Sequence, residues 1–161
     1  MRTSNLYLTA GFAFVLSVAL AVSVFTSTTM LVFESDNEIQ YAHSVDSVDE
    51  FEINYVHSYE GTEIEQEYEI NDGRIIQREE RFRYHASGID PTANTTRDGD
   101  WFVIEPDREF ESFSFRVSYS TRQVVILNGE EIATDEFADS GQRVEIKIKE
   151  LNAIERLFYT I

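Results

Sequence analysis

The chain has 161 residues, including 12 Phe and 8 Tyr, which is enough for one folded domain with a real hydrophobic core. It has no cysteine, so disulfides, thiolate metal ligands, cysteine nucleophiles and a lipid-carrying cysteine anchor are excluded. Its net charge of -17 repels phosphate groups, so we expect no binding to nucleic acid.

The chain begins with a long apolar run. Residues 6–25 contain no charged residue, and a helix of that length spans about 30 Å, the thickness of a bilayer core. A cleaved signal peptide is the alternative, because Ala19-Leu20-Ala21 offers a small-x-small cleavage site. The run continues past that site, which favours an uncleaved signal-anchor helix.

The charges around the apolar run predict its orientation. Arg2 precedes the run, and the next Lys or Arg after it is Arg74. The positive-inside rule therefore places the N-terminus in the cytoplasm and the rest of the chain outside the membrane. We accordingly divide the chain into a membrane anchor with a short linker, residues 1–29, and an extracytoplasmic acidic domain, residues 30–161.

Period-2 alternation dominates the acidic domain and predicts β-strands. Residues 62–70 place Ile64, Gln66, Tyr68 and Ile70 on one face and four glutamates on the other, as in a half-buried strand. Strands are also predicted over residues 50–59, 74–84, 101–104, 113–119, 123–127, 130–133 and 143–149.

Two dipeptides predict tight hairpins. Asp72-Gly73 joins the glutamate-rich strand to residues 74–84, and Asn128-Gly129 joins residues 123–127 to residues 130–133. The stretch 85–100 holds Gly, Pro and short polar residues, which predicts a loop. Residues 151–161 are compatible with a strand or a short helix. Many short strands with regular turn signals indicate a mainly β fold, an antiparallel sandwich or open barrel.

The acidity itself is informative. The chain has 30 Asp and Glu, all after residue 33, but 11 Arg and only two Lys. Such self-repulsion destabilises a fold at ordinary salt and largely vanishes at molar salt, where the Debye length falls to about 3 Å. The composition resembles that of proteins from extreme halophiles; an ordinary acidic exported domain is the alternative.

One motif carries a family resemblance. Tyr55-x-His57-Ser58-x-Glu60-x-Thr62 is followed by the Glu-rich strand that ends in Tyr68. This block resembles the family known as domain of unknown function 1850. Residues 98–104, with an Asp-Gly-Asp-Trp sequence, and the late hairpin around Asn128-Gly129 resemble further blocks of that family.

The resemblance implies a small exported or anchored protein. Members of the family often accompany TAXI-type TRAP transporters, which take up organic anions with a separate solute receptor. It implies no catalytic activity, and the chain has no Gly-x-Ser-x-Gly nucleophile motif. We therefore expect a non-enzymatic accessory or binding protein without a cofactor. A purely structural envelope protein is one alternative.

The candidate site residues follow from the motif. If the strand is regular, Ser58, Glu60 and Thr62 form a polar row on one face, and with Tyr55 and His57 they are the predicted ligand- or partner-binding residues. A second alternative is metal binding, because Tyr-x-His-Ser occurs twice, at His43 and His57, and His85 would complete a three-imidazole site. Asn94 begins an N-glycosylation sequon in the predicted loop.

Overall fold

The computed structural model describes residues 26–47, 50–83 and 95–159. These residues form antiparallel β-strands and one short helix, which confirms the predicted mainly β class. The elements are β1 Ser27–Ser35, β2 Glu38–Ser44, β3 Glu50–Val56, β4 Glu63–Asn71, β5 Arg74–Phe82, β6 Thr95–Asp98, β7 Trp101–Ile104, β8 Arg108–Phe110, β9 Ser112–Arg116, β10 Val124–Leu127, β11 Glu130–Ala133, β12 Arg143–Asn152 and α1 Ala153–Tyr159.

The strands form two sheets. Sheet A has the order β2-β1-β12-β9, and sheet B has the order β11-β10-β3-β4-β5-β7-β6, with β8 paired to β5. One buried cluster takes residues from both, including Phe33 of sheet A and Tyr68 of sheet B. Tyr68 stacks on Phe113 of sheet A with ring centroids 4.8 Å apart. The arrangement is consistent with the predicted sandwich, whose core is the space between the inner faces.

The strand β4 shows why the sequence pattern predicts this fold so well. Ile64, Tyr68 and Ile70 are buried, while the glutamates between them lie on the outer face of sheet B. Both predicted hairpins are present, and their turns are formed by residues in the left-handed conformation. Asp72 and Gly73 have φ of 48° and 72°, and Asn128 and Gly129 have φ of 51° and 78°. Positive φ at both positions is the requirement of a type I′ hairpin turn.

The strand β1 is buried on both faces. Leu31 and Phe33 lie in the inter-sheet core, whereas Met30 and Val32 belong to a second cluster with Leu151. This strand begins in the segment that the sequence assigned to the linker, because its ladder with β12 starts at residue 27. Here a short stretch of Ser and Thr forms the beginning of the strand, although it lacks the alternation of apolar and polar residues that would have predicted a strand.

Other boundaries also differ from the sequence prediction: the strand predicted over residues 113–119 ends at Arg116 in β9, and β8 was not predicted. β6 lies within the predicted loop; its four residues are all exposed, so it has no apolar face to reveal it. The stretch for which the sequence allowed a strand or a short helix contains both: β12 runs to Asn152, and the helix α1 follows directly.

The predicted transmembrane helix falls on residues 6–25, which lie outside the described residues. Within the part of the chain that the structure describes, no helix is both long and apolar enough to cross a bilayer.

Candidate functional site

The Tyr-x-His-Ser motif forms a turn rather than a continuous strand. β3 ends at Val56, and β4 begins at Glu63. Two backbone hydrogen bonds close the connection: the His57 N–H donates to the Thr62 carbonyl at 2.8 Å, and the Gly61 N–H donates to the His57 carbonyl at 2.9 Å. Gly61 has φ of 66°, a conformation that glycine adopts without steric cost. The expected strand over residues 50–59 is therefore three residues too long.

His57 holds this turn together from within. Its Nδ1 accepts hydrogen bonds from the backbone N–H groups of Tyr59 at 3.4 Å and Glu60 at 3.3 Å. Nδ1 must carry its lone pair to accept these bonds, so the side chain is occupied in shaping the turn. His57 therefore positions the neighbouring residues.

The polar row predicted on one strand face is not formed. Ser58 lies at the exposed tip of the turn beside Tyr59, whose side chain is 88% exposed. Glu60 and Thr62 are partly buried at its base. Because residues 57–62 turn instead of extending, Ser58, Glu60 and Thr62 do not alternate along one face, and the row hypothesis is wrong in its geometry.

Tyr55 points into the protein. It packs against a small cluster formed by Ile64, Phe82 and Ile104 on the inner face of sheet B. Burial, followed by the charge of Glu80, raises the pKa of the Tyr55 hydroxyl to about 12. The motif thus contributes one core residue, Tyr55, and one residue that shapes the turn, His57. Its member Thr62 lies next to an open surface groove.

That groove lies beside the turn and combines cationic and hydroxyl groups. Strand pairing brings its walls together: Val124 of β10 pairs with Asn54 of β3, so residues just before β10 lie next to the end of β3. The lining residues are Val56, Gly61, Thr62, Glu63, Arg83, Ser120 and Arg122.

The two arginines of the groove differ in their partners. Arg83 forms an ion pair with Glu63 at 3.2 Å and lies 4.6 Å from the centre of the Trp101 ring. Arg122 is exposed, and its guanidinium has no ion pair with any residue that the structure describes. Its backbone is left-handed, with φ of 47°, and follows a single 3-10 turn, Tyr119–Thr121. Arg122 therefore lines the groove beside Thr62 and Ser120 without an ion pair of its own in the described residues.

A guanidinium with nearby hydroxyls suits a carboxylate. Arginine presents a planar fork of donors that matches the two carboxylate oxygens, and Thr62 and Ser120 supply neutral donors beside it. Sequence reasoning missed Arg83, Ser120 and Arg122. They come from distant segments, and only the pairing of β10 with β3 and of β5 with β4 brings them to the motif.

The predicted histidine cluster is not assembled by the described residues. The His43 Nε2 lies 3.5 Å from the side-chain nitrogen of Asn128, next to the turn after β10. Leu127 pairs with Phe51 at the start of β3, whereas His57 follows the end of that strand, roughly 20 Å away at about 3.3 Å per residue. His85 and Asn94 lie outside the described residues. In the described ranges, no three His, Asp or Glu side chains are grouped to hold a metal ion.

These features define a β domain whose surface offers a small cationic groove within an acidic exterior. The family model described as a domain of unknown function (DUF1850) matches residues 51–133, just over half of the chain. The chain therefore belongs to the DUF1850 family, as its motif indicated. No curated protein and no solved structure matches it.

The region matched by the family model corresponds to sheet B. It spans almost all of β3 and runs through β11, so it contains essentially the whole of sheet B together with β9. The groove at the β3–β4 turn lies entirely within it. The strands β1, β2 and β12 of sheet A are contributed by the flanking segments.

Proposed function

We propose that this chain is a membrane-anchored, extracytoplasmic accessory protein that acts by binding a carboxylate group in the groove beside the β3–β4 turn. The observation that carries the proposal is the position of Arg122. In a chain with net charge -17, this arginine lines the groove together with Thr62 and Ser120, and it forms no ion pair among the described residues. An uncompensated cation on such a surface is a natural recognition point for an anion.

The anchor part of the proposal rests on sequence. Residues 6–25 are uncharged, Arg2 precedes them, and the described domain begins almost immediately afterwards at β1. An uncleaved signal-anchor with a cytoplasmic N-terminus accounts for this order of segments.

The partner part rests on the family resemblance, which implies association with a TAXI-type TRAP solute uptake system. The carboxylate belongs either to an organic anion or to an acidic side chain of a solute receptor. Both sources present the same group to Arg122 and Thr62, so the groove is compatible with each. We propose a binding role for the groove and no catalytic one.

The binding proposal is tested by titrating the isotope-labelled full chain in detergent micelles with succinate. We expect amide signals of Gly61, Thr62 and Ser120 to shift. Arg122→Gln should weaken the affinity by about tenfold or more, because a charge-assisted hydrogen bond contributes roughly 1.5 to 3 kcal/mol. Thr62→Val should weaken it less. Arg143→Gln, which removes an exposed arginine of β12, is the matched control and should leave the titration unchanged.

The possible results distinguish specific binding from general charge attraction, and the solute from the receptor as the source of the carboxylate. Equal weakening by Arg122→Gln and Arg143→Gln would show general charge attraction and refute a specific groove. Shifts with succinate support the solute as the source of the carboxylate. If no succinate effect occurs, but Arg122→Gln alone abolishes binding to the purified receptor, the receptor is the source. If neither ligand responds to Arg122→Gln, the proposal fails.

The topology is tested separately with protease on intact cells. We expect residues 34–161 to be removed while an N-terminal tag stays protected. A tag that is digested, or a C-terminal domain that survives until the cells are lysed, would overturn the proposed orientation.

A further inference from the structure

The C-terminal helix α1, Ala153–Tyr159, exposes its apolar side chains instead of burying them. Ile154, Leu157 and Phe158 are 38%, 82% and 76% exposed. They occupy positions i, i+3 and i+4, so they form one stripe along the helix. Tyr159, on another face of the helix, packs against the outer cluster of sheet A. An amphipathic surface helix normally places its apolar stripe toward the domain, and this one does the opposite.

The helix is a defined element and not a frayed end. The Asn152 Oδ1 accepts hydrogen bonds from the backbone N–H groups of Ile154 at 2.9 Å and Glu155 at 3.0 Å. The Glu155 carboxylate in turn accepts from the Asn152 N–H at 2.8 Å. This reciprocal pattern is a capping box, which starts the helix at the last residue of β12. The direction of the exposed stripe is therefore tied to the end of sheet A.

The same end of sheet A receives the chain from the apolar run. The ladder between β1 and β12 begins with Ser27 opposite Asn152, and adjacent strands lie about 4.8 Å apart. Ser27 follows the apolar run, residues 6–25, by only two residues, which span at most about 7 Å of chain. Ser27, the first residue of β1, thus lies opposite the start of α1.

Charge favours the same surface. Residues 151–161 contain one Glu and one Arg, and so are neutral in a chain of net charge -17. The other large hydrophobic side chains exposed in the described ranges, Tyr59 and Tyr119, each end in a polar hydroxyl. The stripe on α1 has no polar atom, and a contiguous apolar stripe marks an interaction surface.

We infer that α1 lies in the membrane interface and inserts Ile154, Leu157 and Phe158 into the outer leaflet. This inference rests on the proposed function, because it takes the bilayer to be the one that residues 6–25 cross. The helix then fixes the orientation of the domain on the membrane: the chain is held both by the anchor and by a second, peripheral contact of sheet A. A helix with one apolar stripe and charged residues, Glu155 and Arg156, off that stripe is suited to that position.

The absence of cysteine allows a direct test with single labelled positions. The full chain carrying Leu157→Cys, and separately Phe158→Cys, is labelled with the fluorophore NBD and reconstituted into phosphatidylcholine vesicles at molar KCl. Tyr59→Cys is the matched control, since its side chain is just as exposed but lies in the β3–β4 turn. Because all three side chains point outward, these substitutions leave the core untouched.

Two readouts are combined. We expect dithionite to reduce the labels at positions 157 and 158 several-fold more slowly than the label at position 59. We also expect nitroxide-labelled lipid to quench only the labels at 157 and 158, because only these contact acyl chains. Reduction as fast at 157 and 158 as at 59, in protein that floats with the vesicles, refutes the inference and leaves the anchor intact.

The remaining outcomes are equally decisive. Slow reduction without quenching by labelled lipid means that protein covers the stripe, either a second copy or the apolar run itself, and overturns the inference. Protein that fails to float with the vesicles refutes the anchor of the proposed function, and the inference falls with it.

Discussion

The outer faces of the two sheets carry negative charge in opposite ways. On sheet B, Glu52 pairs with Glu67, and Glu67 pairs with Glu79, so that three carboxylates form a row across neighbouring strands. On sheet A, the carboxylate of Glu34 is held between the ammonium groups of Lys147 and Lys149. Like charges directly opposite each other destabilise a sheet, whereas opposite charges stabilise it.

The pKa values of these carboxyl groups shift in opposite directions. Burial, followed by the charges of Glu79 and Glu52, raises the pKa of Glu67 above its ordinary value. Burial would also raise the pKa of Glu34, but hydrogen bonds from Lys147 and Lys149 outweigh it, and its pKa is lowered. The two lysines of the chain thus stabilise one carboxylate on sheet A, while the row on sheet B remains in mutual repulsion.

The acidity of this chain therefore destabilises the fold more on sheet B than on sheet A. Near the sheet B row, Arg81 is the main compensating charge, and its guanidinium lies 3.7 Å from Glu79, 3.8 Å from Glu65 and 2.7 Å from Asp98. One cation shared among three carboxylates leaves Glu67 with no ion pair of its own in the described part of the chain.

The largest expected effect is that of salt. Residues 34–161 carry 12 basic and 30 acidic residues, a net charge of -18. We predict that the domain loses its cooperative fold in dilute buffer and regains it at molar KCl, because the Debye length shrinks from about 10 Å at 0.1 M to about 3 Å at 1 M. Thermal unfolding of the full chain in micelles, followed by near-ultraviolet circular dichroism, measures this.

The comparison of the sheets locates the salt effect. A variant with Glu52, Glu67 and Glu79 all replaced by Gln should remain folded at lower salt than the natural chain. Gln replacing Glu38, Glu105 and Glu131, three exposed carboxylates that have no ion pair within the described residues, controls for net charge alone. Equal rescue by both variants would show that total charge matters and the row does not; melting independent of salt would remove the halophile argument.

Sequence alone predicted sheet B better than sheet A. The alternation in β4 and the Asp72-Gly73 and Asn128-Gly129 turns are local signals, because side-chain period and positive φ are properties of neighbouring residues. The strand β1 carries no such signal. Its residues 30–33 are buried on both sides, so it reads as a continuation of the apolar run.

The site was less predictable than the fold for a related reason. The Tyr-x-His-Ser motif fits strand alternation, yet Ser-Tyr-Glu-Gly is also a turn sequence, and the His57 Nδ1 decides between them by accepting two backbone N–H groups. A side-chain to backbone hydrogen bond of this kind is invisible to periodicity. Arg122 is a further case, since it reaches the groove through pairing between distant strands.

The second prediction is a pair of substitutions with opposite signs. Glu34→Gln should destabilise the protein by about 1 to 2 kcal/mol, because it leaves two lysines without their partly buried carboxylate. Glu67→Gln should stabilise it by about 0.2 to 1 kcal/mol, because it removes a like charge from the centre of a cross-strand row. Both effects should appear in urea unfolding at the lowest salt concentration at which all three chains are folded, and they should shrink at molar KCl.

The pair tests the comparison because the two substitutions are chemically identical and each removes one negative charge. If net charge alone governed stability, both variants would gain stability by a similar amount. A stabilising Glu34→Gln would therefore contradict the role assigned to Lys147 and Lys149.

The smallest expected effect concerns pH. Glu67 has a raised pKa in the folded state, so its ionised form opposes folding above that pKa, and this cost disappears as the pH falls toward the ordinary value of 4.5. Glu34 has a lowered pKa, so its contribution to stability is present above 4.5 and is lost as the pH falls further, through its folded-state pKa. At the lowest salt concentration at which the chain is folded, stability should therefore rise slightly as the pH is lowered from neutral, pass a maximum in the mildly acidic range, and then fall. The rise comes from Glu67 on sheet B and the fall comes from Glu34 on sheet A, so Glu67→Gln should flatten the rise and Glu34→Gln should flatten the fall.

Melting temperatures of the natural chain and of these two variants, measured across this pH range, test the prediction. A curve that falls steadily from neutral pH, or a rise that persists unchanged in Glu67→Gln, would show that the sheet B row does not carry the cost assigned to it.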